Sequence, residues 1–338
     1  MCRTNKNTPC NTGNKPFLLS PAGKDYLWGG NRLNDEYGKQ IPLSPLAETW
    51  ECSTHPAGLS RAASGEHRGK TLRAVLQAHP DYLGTHPAST PELPILIKLI
   101  DAKKDLSVQV HPDDAFARIH ENGQLGKTEL WYVLSAEPGA RLVYGFSRPM
   151  TPDGVRRAVR DGTLEDCLNT VPVRPDDVFL IEAGTVHAIG GGVLIAEIQE
   201  SSDLTYRLYD YDRLDKFGRR RELHLEKALQ VADLSAAVPP RQPMRVLRYS
   251  PGHAEELIGR CRYFQVERHL LNTSEHRQMA SLQSGSLSFE VLLCMDGCGV
   301  VFFEDEALPF FKGDCLFIPA ESVPMRLHGK ASFLRVSC

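Results

Sequence analysis

No stretch of the 338-residue chain approaches the run of about 20 apolar residues that a membrane-spanning helix needs, so none is expected. Charge of one sign is also missing. Lys and Arg total 39 against 42 Asp and Glu, the net charge is −3, and no basic run stands out. That balance argues against a nucleic acid or a membrane surface as the main partner. A cysteine framework is absent too: nine cysteines are scattered, and only Cys294 and Cys298 lie close together, in a C-x-x-x-C spacing that is not a zinc-ribbon pattern. Reduced thiols in a cytoplasm, packed as small hydrophobes, fit this usage. The opening "MCRTNKNTPCNTGNK" has no apolar segment of the kind a secretory signal carries, so residues 1–16 read as a polar extension before a fold beginning near Phe17.

What is present is a globular composition, 41% hydrophobic and 24% charged, in a chain long enough for two domains. Short β-rich runs bounded by Gly, Pro, Asn and Asp fall at 94–100, 106–110, 129–134, 140–146, 177–183, 192–200 and 204–211. They predict a mainly β fold, a sandwich or barrel. Helical spacing interrupts them at 71–79 and at 151–168, the latter with Thr151 as cap and Pro152 at the first position. The pattern breaks at 236–243, read as a linker. Strands return at 288–297, 299–305, 314–320 and 332–337. "FFKGDCLFIPAESV" (310–323) echoes "VRPDDVFLIEAGTVHAI" (173–189), as if one β unit occurred twice, with Pro324 where the first copy has His187.

The stretch "LSVQVHPDD" (106–114) alternates cleanly. Leu106, Val108 and Val110 would share one face, and Ser107, Gln109 and His111 the other. In "GKTELWYVL", alternation puts Lys127, Glu129 and Trp131 together. His187 leaves a strand through an Ala-Gly turn and is followed by three glycines. Glu197 and Gln199 share a face, as do Thr205 and Arg207. Gln109, His111, Glu129 and His187 make a plausible metal shell, because zinc accepts imidazole nitrogen and carboxylate oxygen, and a barrel brings distant strands onto one interior. Two histidines and a carboxylate also describe non-haem iron oxygenases, so residue type alone leaves the metal open.

The strings "WGG" (28–30), "AETWECSTHPAG" (47–58), "IKLIDAKKDLSVQVHPDD" (97–114), "GKTELWYVL" (126–134), "AGTVHAIGGGVLIAEIQESSDLTYRLYDYDR" (183–213) and "RELHLEKAL" (221–229) resemble the type I mannose-6-phosphate isomerases, in their short bacterial form. The resemblance covers residues 17 to about 235 in order and weakens beyond about 240. It implies two cupin-type (jelly-roll) β barrels with inserted helices: a catalytic metal-binding unit at 17–240 and a degenerate one at 241–338. It also implies one zinc ion per chain on Gln109, His111, Glu129 and His187, with Ser107 on the sugar phosphate. Arg207 matches the family's catalytic arginine, Lys127 its active-site lysine, and Glu197 a pocket carboxylate. The implied reaction interconverts mannose 6-phosphate and fructose 6-phosphate through an enediolate, with Lys127 as the preferred base and Glu197 as the alternative. Glu197 has the alternative of pairing with Arg207. Two positions depart from longer members: Gly126 replaces a histidine and Ile189 an aromatic. An iron-dependent cupin dioxygenase and a non-catalytic sugar-phosphate-binding cupin are the rival readings. Gln109 and Lys127 speak against the first, Lys127 and Arg207 against the second. Trp28, Trp50 and Trp131 are expected to pack the barrel, and "RRRE" (219–222) to be a solvated face. Oligomeric state is not legible.

Overall fold

The computed structural model describes residues 13–86, 92–215, 217–240, 242–243, 245–275 and 278–338. Most of the polar extension therefore lies outside the described residues. Its last part does not hang loose: Asn14 bridges to Ser322, and Lys15 pairs with Glu304 and Glu306 at 2.7 Å each.

Two sheets form the first barrel. One runs in the order Val178–Ile181, Glu129–Ala136, Val193–Glu200, Ile95–Ala102, Glu48–Cys52, Ala22–Lys24. The other runs Tyr206–Tyr209, Val108–Val110, His187–Ile189, Arg141–Phe146, Leu168–Pro172. Between them lies an apolar filling that includes Trp28, Ile100, Trp131, Leu142, Phe179, Ile189 and Ile195. The outer face of the five-stranded sheet is covered by helices Pro152–Arg160 and Leu225–Val231, which pack Val155, Ala158 and Ala228 on Val108, Val110 and Leu208. The strand Val193–Glu200 is buried along its whole length because both of its faces are covered, so "VLIAEIQE" reads as a nearly continuous apolar run.

A ten-stranded sheet builds the second barrel around Leu271, Leu292, Val301, Phe303, Ile318 and Phe333. Its path ends in Cys315–Ile318, Phe17–Ser20 and Arg61–Ala62, so two N-terminal strands pair into the C-terminal sheet, with Phe17 opposite Phe317. The two barrels stand back to back across one shared core, in which Ile97, Leu130, Tyr132 and Ile198 meet Phe264, Val266, Phe289, Phe317 and Val336. The echo between the two units is visible in register: Ile181 pairs with Glu129, and Ile318 pairs with Glu290.

Two expectations are corrected. The helix expected over 151–168 stops at Arg160, because Gly162 takes a left-handed φ of 69° and turns the chain; a short 3-10 turn follows, and then the strand Leu168–Pro172. The runs 288–297 and 299–305 are one strand, Glu290–Phe303, whose register shifts between Cys294 and Asp296. In the linker, the Gln242 amide bonds both N–H and C=O of Val178 on the edge strand. Helix Leu72–Ala78 matches its expectation, with Thr71 accepting from the Ala74 amide.

A buried ion pair ties the units together. Lys39 Nζ lies 2.7 Å from Glu51 Oε1 and also donates to the Gly313 carbonyl at a turn of the second barrel. Thr49 donates to the same carboxylate at 2.6 Å. Removing one partner strands the other charge in a dry interior. Lys39→Ala is therefore expected to lower unfolding free energy by about 3–5 kcal/mol in denaturant melts, whereas the apolar pair Lys39→Met with Glu51→Leu should recover most of it. A loss under about 1 kcal/mol in the single variant would show that water reaches the pair.

Candidate functional site

Register explains how distant ligands meet. In the five-stranded sheet Gln109 sits opposite His187 on one side and Arg207 on the other, so one residue of the short strand Val108–Val110 aligns both neighbours. In the six-stranded sheet Glu129 sits opposite Gln199, and Trp131 opposite Glu197. The sandwich then closes these two rows on each other. His111, Glu129 and His187 place their donor atoms within 4.8 Å of one another, all buried. His111 Nε2 lies 3.3 Å from Glu129 Oε1, His187 Nε2 lies 3.8 Å from Glu129 Oε2, and the Gln109 amide is 3.4 Å from His187 Nε2.

Each imidazole has a fixed tautomer. His111 Nδ1 donates to the Leu204 carbonyl at 2.7 Å, and His187 Nδ1 donates to the Thr185 carbonyl at 2.8 Å. Both Nε2 lone pairs are left facing the cluster, the arrangement by which backbone carbonyls orient metal-ligating histidines. Burial, helped by the Lys127 charge, pushes His111 down to about 3, and burial also lowers His187, so both rings are neutral donors. Burial works against the Glu129 carboxylate, but the Lys127 ammonium beside it holds it well below the usual range. Neither Glu129 oxygen has a donor in hydrogen-bonding geometry, although Lys127 Nζ lies against Oε1. A buried carboxylate left in that state, beside two fixed lone pairs, suits a divalent cation. Turning the Gln109 amide over would add its carbonyl oxygen as a fourth donor.

Next to the cluster opens a cleft of about 340 Å³, walled by Ser107, Gln109, Lys127, Glu197, Arg207 and Ile189 among others. Sequence reasoning missed part of that wall. Lys98, in the middle of "PILIKLI", is buried and reaches Glu197 Oε2 at 2.9 Å, and Trp131 Nε1 donates to Glu197 Oε1 at 2.9 Å. A lysine interrupting an apolar run was the available signal. Burial disfavours its ammonium, yet Glu197, Glu48 and Glu129 outweigh that and raise its pKa. Burial and the Glu129 charge raise that of Glu197. Glu197 thus pairs with Lys98. Arg207 instead sends Nε to Ser107 Oγ at 3.2 Å and a terminal nitrogen to the Glu222 carbonyl at 2.9 Å.

Other readings shift as well. Arg221 of the "RRRE" run is no solvated face: it lines the cleft and is held by Asp210, which also grips Arg213. Trp131 packs in the barrel core, but Trp28 and Trp50 also form cleft wall. Leu106 does not join Val108 and Val110. It packs with Trp28 on the cleft side, because regular pairing begins only at Val108. Asp113 caps helix Asp114–His120, accepting from the Phe116 amide at 2.8 Å, as its place after His111-Pro112 suggests. Gly126 has a packing reason: a Cβ there would stand 2.4 Å from the Asp114 nitrogen and 2.5 Å from the Asp113 carbonyl carbon.

The fold and site define a two-barrel cupin protein with a His-Glu-His metal-capable centre. Residues 17–128 match the family model for the catalytic domain of type I phosphomannose isomerase, and residues 254–338 match the mannose-6-phosphate isomerase cupin domain. The chain is 37% identical over 317 residues to mannose-6-phosphate isomerase ManA of Bacillus subtilis (strain 168), covering 94% of this chain and 97% of that protein. It is 42% identical over 217 residues to the mannose-6-phosphate isomerase of Streptococcus mutans, covering 64% of this chain and 67% of the relative. A crystal structure of mannose 6-phosphate isomerase from Bacillus subtilis superposes with a TM-score of 0.87 at 34% identity, over 96% of this chain and all of that one. The chain belongs to the type I mannose-6-phosphate isomerase family.

Gly126→Ala should lower thermal stability by about 1–3 kcal/mol, since the new methyl meets backbone rather than a movable side chain; an unchanged melting curve would contradict the close approach to Asp113 and Asp114. Glu200, buried beside Asp114 and donated to by the Thr128 amide at 2.8 Å, is raised by burial and by Asp114 from 4.5 to about 7. Between those values the folded chain holds a proton that the unfolded chain has lost, so this group costs stability as pH rises through the window. Glu200→Gln should flatten the fall in melting temperature between those two pH values, and an identical pH slope in the variant would count against it.

Proposed function

We propose that this chain interconverts mannose 6-phosphate and fructose 6-phosphate using one zinc ion held by Gln109, His111, Glu129 and His187. The observation that carries the reading is a single cleft with a metal-capable cluster at its side and Ser107, Arg207 and Arg221 in its wall. The hydroxyl and guanidinium groups suit a phosphate dianion. The relatives' names, mannose-6-phosphate isomerases, support this substrate. The cluster's neutral imidazoles and carboxylate suit zinc, which when bound would supply Lewis acidity toward the sugar oxygens.

The chain's own groups do the rest. Arg207 offers a fixed positive charge to the oxygen on which negative charge develops as the enediolate forms, and it is pre-set by its bonds to Ser107 and the Glu222 carbonyl. Glu197 is our preferred proton carrier between C2 and C1. It lies in the cleft wall, it is held by Trp131 and Lys98, and burial beside Glu129 raises its pKa, which makes its carboxylate a stronger base. Lys127, the other candidate base, lies against Glu129 and 3.3 Å from His111 Nε2, which supports an orienting role beside the metal. Trp28, Trp50 and Ile189 exclude water from the reacting carbons. The C-terminal unit braces the catalytic one through the shared core. Among the described residues seven cysteines are free, which supports a cytoplasmic setting; no helix among them is long and apolar enough to cross a membrane.

The direct test is conversion of fructose 6-phosphate to mannose 6-phosphate by chelator-treated protein, with and without restored zinc. Zinc-restored conversion is the expected result. Substrate binding without turnover in both samples would favour a binding module. Arg207→Ala should lower kcat by about 10²–10³ while metal content stays at the parent level. Loss of metal or of folding in that variant would make Arg207 a structural residue. His111→Ala should lose the ion.

A further inference from the structure

Among the described residues a second group has donor atoms as close as those of the first: His253, Glu255 and His269, within 4.8 Å of one another. It lies in the other barrel. His253 and Glu255 stand two apart on strand His253–Arg260, and Glu255 pairs directly with His269 on strand Gln265–Asn272, so all three point to one face. We infer that these residues form a second metal centre, for a zinc-class divalent cation, in the C-terminal unit.

The surroundings argue for a cation. His269 is buried and stacks flat on Phe333, ring centroids 5.0 Å apart, so its orientation is fixed. Its Nε2 faces Glu267 Oε2 at 3.4 Å, which puts the proton on that nitrogen and leaves Nδ1 as a lone pair. His253 Nε2 lies 2.8 Å from that lone pair. Bound to metal, His253 would carry its proton on Nδ1 and turn its own Nε2 lone pair to the ion that His269 Nδ1 already faces. Glu255 belongs to the cluster; Glu267 stands on the Nε2 side of His269, and Glu290 lies beyond it across Arg335. Arg335 is taken up by Glu290, with Nε to Oε2 at 2.9 Å, and reaches Glu267 at 3.4 Å. Among the described residues the ion pair of Glu255 is with the exposed Arg248 at 3.9 Å, and the Arg335 charge also acts on it. Glu255 is thus left to face the two imidazole nitrogens.

The internal repeat sharpens the contrast. Glu290 holds the register position in the second unit that Glu129 holds in the first. There Arg335 supplies the positive charge, so that position is closed, and the new centre lies on the two strands beyond Met325–Ser337. Two imidazoles and a carboxylate suit zinc, cobalt or nickel rather than magnesium or calcium, which take oxygen shells. His253 and Glu255 are half-buried, which gives an ion a way in and leaves a coordination position open to water.

The test uses the full chain, stripped by chelator and dialysed against micromolar free zinc, with bound metal counted by elemental analysis. Two equivalents are expected for the parent. His253→Gln combined with Glu255→Gln, both at partly exposed positions, should hold one equivalent and keep parent isomerisation. His111→Ala should hold one and lose isomerisation. Cobalt in place of zinc gives a second readout: a visible-band spectrum that persists in His111→Ala and vanishes when the His253 and Glu255 changes are added. Metal content unchanged by the His253 and Glu255 changes, whether the parent holds one equivalent or two, overturns the proposal; a single parent equivalent that those changes remove upholds it and counts against the first site instead. The inference stands independently of the proposed reaction, since metal counting needs no turnover.

Discussion

Burial of the Glu129 carboxylate is the constraint around which the catalytic barrel is organised. A carboxylate out of contact with water costs several kcal/mol unless positive charge or strong donors reach it. Here no donor reaches it in hydrogen-bonding geometry; Lys127 and two neutral imidazoles stand against it instead. Everything near it serves to keep that arrangement: the carbonyls of Leu204 and Thr185 fix the imidazoles, the Asp113 cap starts a helix directly after His111 and Pro112, and Gly126 lets the lysine loop lie on that helix start. The site is a concentration of unmet polar demand inside an apolar sandwich, which is where ligand chemistry is found.

That demand is affordable because the sheet carrying Glu129 is covered twice. Its inner face packs in the first barrel and its outer face packs on the second, through a core shared by residues from both ends of the chain. The second barrel stiffens the floor of the site, and Phe17–Ser20 and Arg61–Ala62 stitch the N-terminal region into it. A rigid floor holds Glu129, Trp131 and Glu197 in fixed register, while the cleft is roofed by the five-stranded sheet with Ser107, Gln109 and Arg207.

The two barrels also illustrate how one plan diverges by charge. At equivalent register positions stand Glu129 and Glu290. One faces neutral histidines and a lysine; the other is clasped by Arg335. A guanidinium satisfies a carboxylate bidentately and leaves nothing for a metal. Pro324, where the echo places the counterpart of His187, is consistent with that closure.

The sequence by itself determined the mainly β class, the alternation of Ser107, Gln109 and His111, and the grouping of Lys127 with Glu129, because strand periodicity is local and survives in a bare string of residues. The family motifs carried the four metal-capable residues, and the structure does bring these together. What only tertiary structure decided was partnership across strands. Lys98 looked like one charge in an apolar strand, and Arg221 like part of a surface run, until register and sheet packing turned both into cleft wall. Glu197 chose Lys98 over Arg207 for the same reason: strand pairing sets Glu197 opposite Lys98, while Arg207 belongs to the other sheet. Helix 151–168 was overextended because its apolar spacing continues past Gly162, and the turn there depends on a backbone angle that composition does not encode. Side-chain identity fixes what each position can do, and only the register of non-adjacent strands decides with whom it does it.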